Sequence, residues 1–436
     1  MIINDKQKKL LTKLLIDMRE NQYYGKSLNK CTEKDISSNV LDVYNRLKPV
    51  TKKELLDNLE KVLSQEVVND IAVSEILNVD QLSENHDRIL ETGEHRWYLE
   101  MTSGTSGFPF PIIKSAFVRY TEGAYILKCR KRIFNNASFA NSFMLIHPID
   151  ERIRSISHRG YKSESFEKLL SYMEKKKPKW IFTGVNLLSF LSEYIIATNQ
   201  VLRIQNIGIK FIEVTSQSMD ISDKQKYESL FRARIINNYG CREVWNIAYE
   251  CCCGKMHINT DYLLIDVVNL EGESLIDTDE AGEVIITSLC NKDMPLIKYV
   301  IGDKAKIYSS DCKCGCKDPV ILLEQTREAE MIQGTNKNGI ATFRKILRRL
   351  YFHDEIRDII AIKIVQDDMW HFTVFVKKKE IDDNSEFERL FLLQAKKNIE
   401  NIERYKVDFI YDYPFDENNY MESEKIFRNS ISNIRE

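Results

Sequence analysis

Hydrophobic positions recur at helical spacing at both ends of the first seventy residues: Leu10, Leu11, Leu14 and Leu15, then Leu55, Leu59 and Leu63. Charged and polar residues fill the positions between, so residues 1–70 predict a helical lead-in. Thr51, ahead of Lys52-Lys53-Glu54, reads as an N-cap with Glu54 completing a capping box. From about residue 100 to 325 the texture alternates. β-rich runs at Ser142–Ile146, Lys210–Val214 and Arg234–Asn237 are separated by helical stretches at Ala116–Phe134, Phe166–Glu174 and Leu187–Ala197. That alternation predicts a largely parallel sheet. After Asp261 the runs TDYLLIDVVN, GEVIITSL, LIKYV and KAKIY follow in quick succession, which predicts a small antiparallel or mixed sheet over about 261–325. Beyond Gln333 the order is helix (Phe343–Tyr351), strand (Ile360–Gln366), strand (Trp370–Lys377), helix (Ser385–Asn401), strand (Lys406–Tyr411). The expected fold class is α/β, with a large N-terminal domain over 1–326 and a small α+β domain over 327–436.

Composition narrows the function classes. The chain has 436 residues, 63 Lys plus Arg against 65 Asp plus Glu, and a net charge of −2. Such a balance argues against a surface built to coat nucleic acid or an anionic membrane. No apolar run approaches the ~20 residues that span a bilayer. The opening MIINDKQKKLLTKLL is too polar for a secretory signal. The expectation is a cytoplasmic protein with neither nucleic acid nor membrane as partner. Glycine is scarce, 16 in all, so clustered glycines carry information.

Six of the ten cysteines fall in two stretches, Cys251-Cys252-Cys253 and Cys312, Cys314 and Cys316. In a reducing compartment such bunching points to a metal before it points to disulfides. Cys251, His257, Cys312 and Cys314 offer three thiolates and one imidazole, a set suited to a closed tetrahedral zinc site. Cys252, Cys253 and Cys316 stay open as alternatives, and Cys253, next to Gly254, can take the place of Cys251. Four protein ligands leave no open position for catalysis, so the expected role is structural.

The most informative segment is YLEMTSGTSGFPFP, Tyr98–Pro111. Gly104 and Gly107 free the backbone, while Thr102, Ser103, Thr105 and Ser106 bring hydroxyl donors, a composition suited to cradling an anion. It lacks the Gly-Lys-Ser/Thr of a Walker A loop. TSGTSGFP resembles the phosphate loop of the adenylate-forming superfamily, the acyl-CoA synthetases and adenylation domains. Asn238-Tyr239-Gly240-Cys241-Arg242-Glu243 resembles that family's YGxTE, and Tyr299-Val300-Ile301-Gly302-Asp303 its YRTGD. Ala248–Cys251, Gly254, His257, GEVIITSLCNKDMPLIKY and CKCG look like the branch of phenylacetate-CoA ligases with their CapK-like and coenzyme-F synthetase-like relatives.

The resemblance implies a two-step reaction. A carboxylate displaces pyrophosphate from ATP to give an acyl-adenylate, and a thiol or amine then takes the acyl group. It implies that Thr102, Ser103, Gly104, Thr105, Ser106 and Gly107 hold the β- and γ-phosphates. Asn238, Tyr239 and Gly240 would flank the adenine, Glu243 bind Mg²⁺, and Asp303 accept from the ribose hydroxyls. Arg242 stands where the family has a threonine near the α-phosphate. Arg327, preceded by Thr326 where the family has glycine, would reach the ribose or phosphate just before a hinge. Lys425, preceded by Glu424 in place of glycine, would be the mobile catalytic lysine on a C-terminal lid. His147, Trp245 and Tyr249 are candidates for the acid pocket. Trp245 and Tyr249 favour a flat or aromatic acid, though core packing accounts for them equally well. The implied cofactors are ATP, Mg²⁺, structural Zn²⁺ and, as acceptor, CoA or carrier-protein phosphopantetheine. The implied partners are a small carboxylic acid and CoA or an acyl carrier protein, with homodimerisation left open. Two alternatives stand beside this: an amine acceptor, as in CapK-like proteins, and a non-catalytic nucleotide-binding descendant, suggested by Arg242, Thr326 and Glu424.

Overall fold

The first helix spans Asp5–Asp17 and begins where the sequence supplies a cap. The Asn4 side chain accepts from the Gln7 backbone N–H, and the Gln7 side chain accepts from that of Asn4. Leu11, Leu14 and Leu15 are buried, as their spacing predicts. Thr51 caps the helix Lys52–Asp57 through the Glu54 N–H, 3.3 Å away. The reciprocal half of the expected capping box is replaced: the Glu54 carboxylate accepts from the Tyr23 hydroxyl at 2.6 Å.

The computed structural model describes residues 2–76, 87–92, 95–102, 110–137, 143–146, 163–215, 219, 221–324, 331–335, 339–350, 359–378, 384–411 and 427–429. Contacts group the chain into two units, one of Met1–Asn135 with Asn237–Glu324 and one of Asn136–Ile236 with Gln325–Glu436.

The first unit holds a three-stranded antiparallel sheet of β1 (Asp87–Thr92), β2 (His95–Met101) and β3 (Pro111–Ser115). Within it, β8 (Ala248–Glu250), β9 (Met256–Ile258), β10 (Leu263–Val268), β11 (Gly282–Ser288), β12 (Tyr299–Tyr308) and β13 (Val320–Leu323) pair antiparallel in the order β10-β11-β12-β13-β9-β8. Beside β8 run Asn238 and Tyr239, the end of β7 (Arg234–Tyr239). The N-terminal helices are tied to these strands by long-range hydrogen bonds. Gln7 donates to the Leu263 carbonyl at 2.7 Å, Tyr44 meets Thr287 at 2.9 Å, and Val50 bridges Tyr299. The helical lead-in is therefore part of this unit's core.

The second unit holds β4 (Phe143–Ile146), β5 (Trp180–Gly184) and β6 (Phe211–Thr215), all parallel, as the alternating pattern predicts. The helix Val185–Ala197 is buried on most of its circumference, which is why its sequence is apolar nearly all round. The C-terminal segment follows the expected order. Helices Gly339–Leu350 and Ser385–Asn398 accompany β14 (Ile359–Asp368), β15 (His371–Lys378) and β16 (Lys406–Ile410), with a core that includes Phe343, Ile364, Phe372 and Phe391. A further short strand, β17 (Phe427–Asn429), pairs parallel to β14. The fold class is α/β, as expected. Among the described residues no helix is long and apolar enough to cross a membrane.

Candidate functional site

β2 and β3 end in register, Met101 opposite Pro111. One residue further out, the Thr102 N–H donates to the Phe110 carbonyl at 3.0 Å and the Phe110 N–H donates to Thr102 Oγ1 at 3.0 Å. The two ends of the glycine-rich segment are thus clamped together. Lys52 adds a cation, its Nζ donating to Thr102 Oγ1 at 3.2 Å. Ser103, Gly104, Thr105, Ser106 and Gly107 lie outside the described residues, as do His147, Arg327 and Lys425.

The three motif segments that are described converge. Tyr239, ending β7, donates its hydroxyl to Asp303 Oδ2 at 2.8 Å. Asp303 owes its position to an irregularity in β12: Glu283 pairs with Lys304 and Ile285 with Val300, so residues 301–303 oppose Val284 alone. Gly302 sits at the apex with φ +80°, a conformation glycine takes without penalty. Such bulges re-aim side chains. Glu243 is buried and accepts from the Tyr299 hydroxyl at 3.0 Å. The Tyr299 ring in turn stacks on Phe110, centroids 6.0 Å apart. The clamp of the glycine-rich segment, the Glu243 carboxylate and the Tyr239–Asp303 pair therefore belong to one connected cluster. Asn238 accepts from the Asn246 side chain at 2.7 Å, closing the turn that follows β7. Gly240 is required there, because a Cβ on it would stand 1.9 Å from the Trp245 carbonyl oxygen.

Beneath this turn lies a group the motifs did not reveal. Lys114 is fully buried, and its Nζ lies 2.8 Å from Glu122 Oε2, 3.2 Å from Glu100 Oε2 and 2.9 Å from the Arg242 carbonyl oxygen. Trp245 donates its indole N–H to Glu100 Oε2 at 2.8 Å, and its ring lies against Lys114 and Arg119. Trp245 is thereby placed in a charge network. Burial pushes the Glu122 carboxyl up to about 7, against the downward pull of Lys114. Burial and the nearby Glu243 carboxylate also push the Cys241 thiol well up. The only signals in the sequence were a lysine in the apolar run of β3 and glutamates in β2 and the helix Ala116–Ile133. Tyr98, two residues from Glu100, pairs with Lys114, so the two charges are diagonal neighbours on one face. Lys52 was likewise missed, since a lysine in a charged helical segment carries no signal of its own.

The four expected metal ligands come together. Ligand atoms of Cys251, His257, Cys312 and Cys314 all lie within 4.8 Å of one another. Cys251 Sγ and Cys312 Sγ are 3.7 Å apart, and Cys314 Sγ is 3.3 Å from His257 Nε2. With Zn–S bonds of about 2.3 Å, tetrahedral sulfurs stand about 3.7 Å apart, so the set fits zinc. The local folding is that of two knuckles. Gly254 and Gly315 turn the chain at φ +75° and +82°, and the N–H groups of Cys253 and Cys316 donate to the sulfurs of Cys251 and Cys314. The single β9–β13 pairing, His257 opposite Val320, brings the histidine to the second knuckle. His257 Nδ1 lies 2.8 Å from the Asp318 carbonyl oxygen, which can only accept. The proton is therefore on Nδ1, and the Nε2 lone pair faces the thiols. Beside the cluster is a cavity of about 310 Å³ whose lining includes Tyr125, Arg132, Tyr249 and Cys316.

No protein-family profile and no curated protein matches the sequence. Solved structures do resemble it. 2-Hydroxyisobutyryl-CoA ligase in the postadenylation state in complex with R3-HIB-AMP matches with a TM-score of 0.59 at 13% identity, over 94% of this chain and 87% of that one. The same ligase with 2-HIB-AMP and CoA in the thioesterification state matches at 0.57 and 12% identity, over 98% of this chain and 90% of that one. Its open conformation with the same two ligands gives 0.54 at 13% identity, over 94% and 90%. At such identity the likeness is one of fold, and it extends over nearly the whole chain. This chain has the α/β fold of an adenylate-forming CoA ligase.

Proposed function

We propose that this protein is an ATP- and Mg²⁺-dependent carboxylate–AMP ligase of the phenylacetate-CoA ligase-like branch. It adenylates a small, aromatic carboxylic acid and passes the acyl group to the thiol of CoA or of a carrier-protein phosphopantetheine. The observation that carries this reading is the meeting of three separated motifs in one cluster: the clamp at Thr102 and Phe110, the Tyr239–Asp303 pair, and Glu243 beside Tyr299. Its parts match what the first half-reaction needs. The hydroxyls and N–H groups of Thr102–Gly107 hold the β- and γ-phosphates, with Lys52 adding positive charge. Tyr239 lies against adenine, and Asp303 exchanges its Tyr239 partner for the ribose hydroxyls or shares between them. Glu243 supplies a hard oxygen ligand to Mg²⁺. Arg242 stands over the α-phosphate, where a cation favours the charge that builds as pyrophosphate leaves. Arg327 and Lys425 complete the set from a lid over residues 327–436, closing on an adenylation domain over 1–326.

Cys251, His257, Cys312 and Cys314 hold a structural zinc. The fit of their donor atoms and the N–H···S bonds of both knuckles support it. The test of function is ATP–pyrophosphate exchange screened across aryl, fatty and amino acids. Exchange that requires one class of acid, and that falls in Asp303→Ala, supports the ligase. AMP release dependent on a thiol, and not on an amine, separates the two acceptors. ATP binding without exchange for any acid would favour the non-catalytic descendant.

A further inference from the structure

Three ionisable side chains, Glu100, Lys114 and Glu122, are each about 99% or more buried. Replacing such a trio with packed hydrophobics is often neutral or stabilising, so stability alone does not explain it. What the trio touches does. Lys114 grips the carbonyl of Arg242 at 2.9 Å, and Glu100 grips the indole of Trp245 at 2.8 Å. Those are the two ends of a four-residue turn, and Glu243 lies between them. The turn is held in a costly shape: Trp245 has φ +54°, unusual for a bulky side chain, and its carbonyl oxygen is pressed against Gly240. Glu122 in turn fixes Lys114 from the helix Ala116–Ile133, and Arg119 of the same helix covers Trp245 and stands 3.6 Å from Glu100 Oε1.

We propose that Glu100, Lys114 and Glu122 are positioning residues that hold the Arg242–Trp245 turn in the shape that presents Glu243 and Arg242 to the reaction centre. This rests on the ligase reading for its effect on turnover, while the holding of the turn stands by itself. A misplaced metal-binding carboxylate weakens the transition state more than it weakens substrate binding, so the loss belongs in kcat. Glu122 also gives the hold a proton dependence. The groups that face it are Lys114 on β3, Glu100 on β2, Arg119 on its own helix, and Cys290 and Tyr262 in the chain flanking β10 and β11. Losing a proton from Glu122 places a second negative charge on Lys114 and competes with the Arg242 carbonyl for it.

The test uses the full chain labelled with 5-fluorotryptophan, the Trp245 resonance being assigned from its loss in Trp245→Phe. Lys114→Met alone would strand two buried carboxyl groups, so the main variant is Lys114→Met with Glu122→Gln, which leaves Glu100 as the one buried acid of the trio. The Trp245 resonance is expected to shift or broaden. The kcat for pyrophosphate exchange is expected to fall about 100-fold, with KM for ATP within about threefold. The Trp245 resonance of the natural protein is expected to titrate with pH, and in Glu122→Gln alone that titration is expected to vanish. An unmoved Trp245 resonance with kcat within about twofold of the natural protein would overturn the proposal. So would a Trp245 titration that is the same in Glu122→Gln, which keeps the question decidable if the double variant does not fold. Absence of exchange in the natural protein would count against the ligase reading, and the fluorine signal would still decide whether the trio holds the turn.

Discussion

Two glycines near the proposed nucleotide site are needed for different reasons. Gly302 has φ +80° with open space around it, so an added Cβ meets only the cost of a left-handed backbone, about 1–2 kcal/mol. At Gly240 a Cβ meets the Trp245 carbonyl at 1.9 Å, and relief requires moving the turn that carries Glu243. Gly240→Ala should therefore cost more stability than Gly302→Ala, about 2 kcal/mol or more, because backbone must shift. Urea unfolding of both variants gives the comparison, and equal losses would contradict it. Glu122 makes a second prediction, for pH. Its carboxyl is raised from an ordinary 4.5 to about 7, chiefly by burial. The folded state then holds the proton more tightly than the unfolded chain does, so this contribution is present below pH 4.5. It is lost as pH rises through about 7, a change of order 3 kcal/mol. Glu122→Gln should flatten the fall in urea midpoint between about pH 5 and 8; an unchanged slope would assign it to other groups. The two glycines stood out in their motifs, but the burial of Glu122 was not legible in the sequence. A glutamate eight residues after a lysine on a neighbouring element looks like surface charge until the fold buries both.

Among the elements, the strands and helices with strong periodicity were legible and the short or distorted ones were not. β4, β6 and the helices Ser163–Lys176 and Val185–Ala197 lie where the apolar pattern puts them, since each buries apolar side chains, whereas β5 and the helix Val201–Ile207 between them were missed. LIKYV and KAKIY read as two strands, but Tyr299-Val300 of the first and all of the second belong to the single strand β12, broken in register where Gly302 turns at the bulge. β17 was missed because three residues in a charged tail carry no period. The two cysteine-rich turns were legible as a metal candidate, as their spacing and their Cys-Gly turns are local, with Cys252, Cys253 and Cys316 left open as alternatives. Which thiols face the histidine depended on the β9–β13 pairing, which no local pattern states. The knuckles join β8, β9 and β13, so the proposed zinc staples this end of the sheet. One zinc per chain is expected by metal analysis. Cys312→Ser, or chelation, should lower the unfolding temperature markedly, since binding energy at a structural site is folding energy. Zinc-free protein of unchanged unfolding temperature would rule the staple out.

Over the whole molecule, the two proposed half-reactions should depend differently on Lys425 and on Asp303. Lys425, two residues ahead of β17 in the sequence, is proposed to act in adenylation by bringing the carboxylate and the α-phosphate together. In a dry site such a charge contributes a few kcal/mol, or ~10²–10³ in rate. Lys425→Ala should lose pyrophosphate exchange by about that factor while still transferring acyl from a supplied acyl-adenylate. Asp303→Ala should weaken both steps, because the ribose is held throughout. Equal loss of both steps in the Lys425 variant would make that lysine structural. The central claim is that this protein joins a carboxylate to AMP. Its most direct measurement is mass spectrometry of a quenched mixture of protein, ATP, Mg²⁺ and the acid that supports exchange, with no acceptor added. The expected product is the acyl-adenylate, with one pyrophosphate released for each adenylate formed; ADP and phosphate as the products, or no adenylate with any acid, would contradict the claim.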